Sequence, residues 1–215
     1  MPANTTVMKI TRTDDVRRRA MQELRESDVV MLDGHFDYGN GYHGRVYVNP
    51  HRLFQHPSTI WRLAQDLLEL LPYELKMRVE VVAGPATGGA LLAHTLAGLL
   101  DGQRSLSHPS LRFAPFTQDR DEGLVLRPFY ASTVAGRQVI LADDVRNTGK
   151  TFERCLALVR DAGGDVMATV EICDRMEAVV DLGVPNISLV EYGAPENYAA
   201  DQCPMCRARV PLTSF

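Results

Sequence analysis

Apolar positions along the chain recur with two periods, and the switches between them predict the elements. Thr13-Asp14-Asp15 ahead of VRRRAMQELRES reads as a capped helix start leading into a helical run that ends near Asp28. Residues 29–32 are short and uniformly apolar, as a strand is. Four glycines then fall within the eleven residues 34–44, with aromatics between them, and the following RVYVN alternates like a strand. That segment predicts a glycine-rich hairpin. Pro57 suits a first helical turn, and Ile60, Leu63, Ala64, Leu67, Leu68 and Leu71 recur behind it at helical spacing.

From residue 79 onward strand and helix patterns alternate. Residues 79–83 form a buried-strand run, 89–100 an apolar helix and 111–116 a second strand. Residues 117–128 are polar and irregular, as in a loop or long hairpin. A third buried strand is expected at 139–142, a helix at 151–162 closed by Gly163-Gly164, and two more strands at 165–173 and 187–191. The order predicts an α/β fold. A central, mostly parallel sheet would carry helices on both faces, with a small N-terminal lobe added.

Composition narrows the class. A chain of 215 residues suits one domain with a small appendage, and can bury roughly 70% of its unfolded surface without a staple. With 23 basic and 27 acidic residues the net charge is −4, which leaves no electrostatic footprint for nucleic acid or an anionic membrane. No apolar run is long enough to span a bilayer. The first residues contain no apolar signal core, and four cysteines do not make a secreted disulfide framework, so a cytoplasmic protein is expected.

Candidate chemistry concentrates in Val139-Ile140-Leu141-Ala142-Asp143-Asp144-Val145-Arg146-Asn147-Thr148-Gly149-Lys150-Thr151. A buried strand ends in two carboxylates and turns through Thr-Gly-Lys-Thr into a helix. Ligands of open α/β sheets sit beyond the carboxyl ends of strands. The helix start offers free N–H groups and a positive dipole end to a phosphate. The carboxylates suit either a metal or the hydroxyls of a sugar. The segment is not a nucleotide P-loop, because the place of that motif's first glycine is taken by Asp144. A second anion loop is predicted at Gly84-Pro85-Ala86-Thr87-Gly88-Gly89-Ala90, where small residues let backbone amides approach closely.

The strand, acidic pair and phosphate loop resemble the diphosphate-binding motif of type I phosphoribosyltransferases. Gly84–Ala90, the glycine-rich segment at 34–49 and Asp174-Arg175-Met176-Glu177 narrow the likeness to orotate phosphoribosyltransferases. The resemblance implies Mg²⁺-dependent transfer of ribose 5-phosphate from phosphoribosyl diphosphate (PRPP) to orotate or a similar pyrimidine, with release of pyrophosphate. It implies that Asp143 and Asp144 contact the ribose, that Asn147, Thr148, Gly149, Lys150 and Thr151 hold the 5′-phosphate, and that Ala86, Thr87, Gly88 and Gly89 hold the pyrophosphate. Phe36, Asn40, Gly41 and Arg175 would bind the base, the arginine fork pairing with a carboxylate. Mg²⁺ would be held through PRPP and water rather than by direct ligation. A homodimer is implied, as is one domain over 1–215, with a core at about 56–192 and a hood made of about 1–55 plus the C-terminal tail.

The segment that resembles the family's cationic lid is Phe116-Thr117-Gln118-Asp119-Arg120-Asp121-Glu122-Gly123, with one arginine and three acids. Arg120 is the expected catalytic cation there, with Arg127 as its substitute. The acidic lid also motivates an alternative, a PRPP- or nucleotide-binding regulatory module with little catalysis. Cys203-Pro204-Met205-Cys206 has the spacing of half a zinc site, which needs two more ligands. Cys155 and Cys173 lie apart in a helix and a strand, and the six histidines show no paired metal spacing. The alternatives are a four-cysteine zinc site shared between subunits and a tail with two free thiols. His35 and His43, in the hairpin, are read as touching substrate or as solvated.

Overall fold

The computed structural model describes residues 11–31, 34–38, 41–105, 107–176, 180–193 and 197–214. In chain order the elements are α1 (Arg12–Glu26), β1 (Val30–Met31), β2 (Phe36–Asp37), β3 (Tyr42–Gly44), β4 (Tyr47–Val48), α2 (His51–Phe54), α3 (Pro57–Leu70) and α4 (Tyr73–Arg78). There follow β5 (Val81–Pro85), α5 (Gly88–Gly102), β6 (Arg112–Asp119), β7 (Gly123–Val125), α6 (Pro128–Val134), β8 (Gln138–Arg146), α7 (Lys150–Asp161), β9 (Asp165–Asp174) and β10 (Asn186–Glu191). The chain closes with β11 (Asn197–Ala199), a 3₁₀ turn at Ala200–Gln202 and α8 (Pro204–Arg207).

Six strands form the main sheet in the order β10-β9-β8-β5-β6-β7. The first five are mutually parallel, and β7 runs antiparallel at the edge. The central strands are apolar on both sides because helices cover both sides. One apolar cluster joins α1, α3 and α5 to the sheet through Leu24, Leu63, Leu67, Leu92 and Ile140. The other face is closed by Phe152, Cys155 and Val159 of α7 against Val139, Leu141 and Phe116. Parallel β5, β8 and β9 end on the same edge, so their following loops converge there.

A second sheet, β11-β3-β2, joins the glycine-rich hairpin to the C-terminal tail. β1 and β4 pair separately, with Val30 opposite Val48.

The structure differs from the periodicity at several points. The cap of α1 is Thr11, whose hydroxyl accepts from the Asp14 N–H while the Asp14 carboxylate accepts from the Thr11 N–H, and not the Thr13 segment. Helix α1 packs on α3 and β10, so its apolar stripe of Val16, Ala20 and Leu24 belongs to the main core rather than to the hood. Residues 117–128, by contrast, do contain a hairpin, one of the two readings their polarity allowed, with Thr117 opposite Val125 and Asp119 opposite Gly123. Gly123, at φ +72°, turns it.

Candidate active site

The acidic pair stands near the end of β8. Asp143 is buried, and its Oδ1 accepts from the Asp144 N–H at 2.9 Å. Asp144 Oδ1 accepts in turn from the Val145 N–H at 2.7 Å. Burial, followed by the neighbouring Asp144 charge, holds the Asp143 carboxyl well above the usual carboxylate range. The carboxyl therefore keeps its proton to a higher pH than a free one, and a cation beside the pair would oppose that shift.

Asn147-Thr148-Gly149 carries the chain from β8 into α7, with Gly149 at φ +85° as its N-cap. A side chain there would be strained, and the left-handed turn lets the first amides of α7 face one small cavity of about 100 Å³. Asn147, Thr148, Gly149, Lys150 and Thr151 all line it together with Asp143. The five residues thus lie together at one helix N-terminus with the Thr148 and Thr151 hydroxyls beside it, an arrangement that can accept an anion.

Opposite, β5 passes through exposed Ala86 and Thr87 into α5. The Ala86–Thr87 peptide bond is cis. Gly88 sits so close to the pair that a Cβ there would fall 1.7 Å from Asp144 Oδ2 and force that carboxylate to move. The loop thus comes against the acidic pair. A cleft of about 560 Å³ runs between them, lined by Thr87, Gly88, Asp143, Asp144, Lys150 and Arg154 among others.

A third cavity, of about 400 Å³, shares Asp144, Asn147 and Thr148 with the first two and is closed by Tyr38, Tyr47 and Arg175. Arg175 is buried, and its guanidinium lies 4.8 Å from the Tyr38 ring centroid. Its backbone N–H donates to the Arg146 carbonyl at 2.9 Å. Arg146, also buried, stands 3.7 Å from the Asp174 carboxylate. Together these contacts fix the end of β9 against the end of β8.

Not every expected residue reaches the site. Phe36 is buried with its ring 5.9 Å from that of Tyr47, supporting that side chain instead of lining the pocket. Gly41 is exposed at φ +85° in the hairpin turn. Asn40 and Glu177 lie outside the described residues. Arg120 is exposed at the tip of the β6–β7 hairpin, whereas Gln118 and Leu124 from the hairpin's flanks face the cleft. Among the described residues lining that cleft, the cations are Lys150 and Arg154, and Arg154 Nε donates to the Leu124 carbonyl at 3.4 Å. Arg154 was legible in principle, since four residues after Lys150 is the same face of a helix. Tyr38 and Tyr47 left no such signal.

His35 and His43 do not point to this site. Both are buried, and they gather with Cys203 and Cys206 on the hood. Their pairing was hidden because the partners that complete it come from the other end of the chain.

Residues 52–188 match the family model described as "Phosphoribosyl transferase domain". The chain is 32% identical over 194 residues to a protein of Erythrobacter litoralis named orotate phosphoribosyltransferase, covering 90% of this chain and 93% of that one. The structure is similar to that of orotate phosphoribosyltransferase from Aeropyrum pernix, with a TM-score of 0.64, 24% identity, and coverage of 79% and 92%. It is also similar to the Mycobacterium tuberculosis H37Rv orotate phosphoribosyltransferase in complex with PRPP, with a TM-score of 0.52, 17% identity, and coverage of 82% and 89%. The two solved structures share its fold.

Proposed function

The chain belongs to the phosphoribosyltransferase family, and from that premise we propose that it transfers ribose 5-phosphate from PRPP to orotate or a closely similar pyrimidine. The observation that carries the reading is the junction of three cavities. The α7 start suits the 5′-phosphate, the cleft beside Ala86–Gly89 suits the diphosphate, and the Tyr38–Arg175 pocket suits a planar, carboxylated base. Asp143 and Asp144 stand where the ribose would join them.

In this mechanism a ring nitrogen of the base, its N–H proton lost to solvent, bonds to the anomeric carbon as the bond to pyrophosphate breaks, and the electron pair leaves with the pyrophosphate. The transition state is oxocarbenium-like, as in glycoside hydrolysis. The acidic pair stabilises its positive charge, most strongly as that charge develops. Backbone amides from Ala86 to Gly89, with Lys150 and Arg154, hold the departing anion. Arg175, steadied by the Tyr38 ring, orients the base. Asp143 and Asp144 concentrate negative charge on this wall of the site and would hold Mg²⁺ brought in with PRPP and water. When bound it offsets the charge of the pyrophosphate. We further propose that the chain acts as a homodimer.

Pyrophosphate release from PRPP with Mg²⁺, measured against orotate, uracil, adenine, guanine and hypoxanthine, tests the proposal. Orotate is expected to give release and uracil little, since only orotate offers Arg175 a carboxylate. Release with a purine alone would overturn the base assignment. PRPP-induced thermal stabilisation without release for any base would favour the regulatory module that the acidic lid suggests.

A further inference from the structure

The two histidines that leave the active site meet the two cysteines that the sequence left incomplete. His35 precedes β2, and His43 lies in β3. With Asp37 opposite His43 in that hairpin, His35 is the diagonal neighbour of His43 on the same face. Cys203 caps α8 and Cys206 follows in its first turn, so Pro204 starts the helix and both sulfurs fall on one side of it. His35 Nε2 lies 3.3 Å from His43 Nδ1 and 3.5 Å from Cys203 Sγ. Cys206 Sγ lies 3.7 Å from His35 Nε2 and 3.3 Å from His43 Nδ1. All four donor atoms lie within 4.8 Å of one another.

The four separations of 3.3–3.7 Å match edges of a small tetrahedron. Zinc bonds of about 2.0–2.1 Å to nitrogen and 2.3 Å to sulfur give edges of roughly 3.3 Å between nitrogens and 3.6 Å between nitrogen and sulfur. The protonation pattern agrees. His35 Nδ1 lies 2.9 Å from the Val210 carbonyl, which can only accept, so Nδ1 carries the proton and Nε2 of the neutral ring presents a lone pair. A carbonyl fixing the far nitrogen is the usual support of a metal-bound imidazole. Three of the four residues are buried, and Cys206 is exposed.

We propose that His35, His43, Cys203 and Cys206 bind one structural Zn²⁺ that clamps the C-terminal tail to the hairpin of the hood. Two thiolates and two neutral imidazoles match its charge and its preference for four nitrogen and sulfur ligands in a closed site. The clamp has a task, because the hood strands span only two or three residues each. Such strands do not hold a sheet by themselves. The tail is stitched alongside: the Asp37 N–H donates to the Thr213 carbonyl at 2.9 Å, and the Thr213 N–H donates to the His35 carbonyl at 2.8 Å. The residue after β2 in this clamped segment is Tyr38, whose ring carries Arg175.

The test is metal analysis of the full-length reduced protein, purified without chelator or metal resin. One equivalent of zinc per chain is expected. Reconstitution with Co²⁺ should give tetrahedral d–d bands and thiolate-to-cobalt charge transfer. Cys206→Ser, at the exposed ligand, should lose the stoichiometric zinc and the thiolate band. Zinc removal should also lower the melting temperature and raise amide exchange in 35–44 and 197–214. The wild-type cobalt spectrum decides the matter if that variant does not fold. Folded wild-type protein with neither zinc nor a thiolate–cobalt band would overturn the site, as would a Cys203–Cys206 disulfide. Zinc removal that leaves exchange in the hood unchanged would overturn the clamp.

Discussion

Two buried carboxyls set the behaviour of the site residue by residue. Asp143 combines burial with the charge of Asp144, and Asn in its place would keep the acceptor for the Asp144 N–H while removing the charge. Asp143→Asn is therefore expected to lower kcat by about 10²-fold while raising the melting temperature at alkaline pH. A variant that loses stability and keeps turnover would contradict this role. Glu171 pairs with Asp143 across β8 and β9, and burial pushes its carboxyl up to about 7 from 4.5, against the hydrogen bond that Asn186 donates at 2.8 Å. A raised carboxyl pKa contributes stability below the unfolded value and loses it as the pH climbs through the folded one. Stability should thus decline between pH 4.5 and about 7. Glu171→Gln should flatten that decline, gaining about 3 kcal/mol at pH 8 and little at pH 4. Urea denaturation across this pH range measures both.

At the scale of elements, the site is made by loops that follow parallel strands, and in the proposed reaction helix starts supply its anion contacts. Helix α7 matters twice, first through Gly149 and its free amides, then through the face that carries Lys150 and Arg154 into the cleft. The β6–β7 hairpin offers the cleft Gln118 and Leu124, with Arg120 out at its tip. Arg154→Ala should accordingly raise KM for PRPP by about tenfold, as the loss of a charge-assisted contact does. Arg120→Ala should change it by less than about twofold. Initial-rate kinetics of the two variants compare them directly, and the reverse order would reassign the lid cation to the hairpin.

The whole molecule joins a strong body to a slight lobe. The main sheet lies between two apolar clusters, and its central strands β8 and β9 are nine and ten residues long. The hood sheet has little of this, resting on short strands and the fold-back of the tail. Hydrogen exchange should therefore be slowest in β5, β8 and β9 and fastest in β2, β3 and β11, with separate opening of the lobe. Uniform protection across both sheets would show that they open as one unit. The same division puts Tyr38 beside the hood sheet and Arg175 at the end of β9 on the body, so the third cavity draws on both. Among the described residues no helix is long and apolar enough to cross a membrane.

The sequence by itself determined what depends on neighbours along the chain. Apolar runs such as Val139–Ala142 and the period of Ile60 to Leu68 predicted the α/β order, since strand and helix are local patterns. The acidic strand end and the loop into α7 were legible as one unit because a strand end, its turn and the next helix start are contiguous. The small lobe and Arg175 came through the family resemblance, but the Tyr38 and Tyr47 walls of the third cavity were not legible, because alternation marks a buried face without saying what it faces. Phe36 and Tyr38 look alike in a glycine-rich run, and only packing against Tyr47 and Arg175 separates a support from a wall. Arg120 and Arg154 differ only in where a hairpin and a helix aim them. His35 and Cys203 stand 168 positions apart, and the sheet that joins β11 to β3 is what brings them within 3.5 Å. Local periodicity carries no record of such a pairing, so the tertiary structure alone decided it.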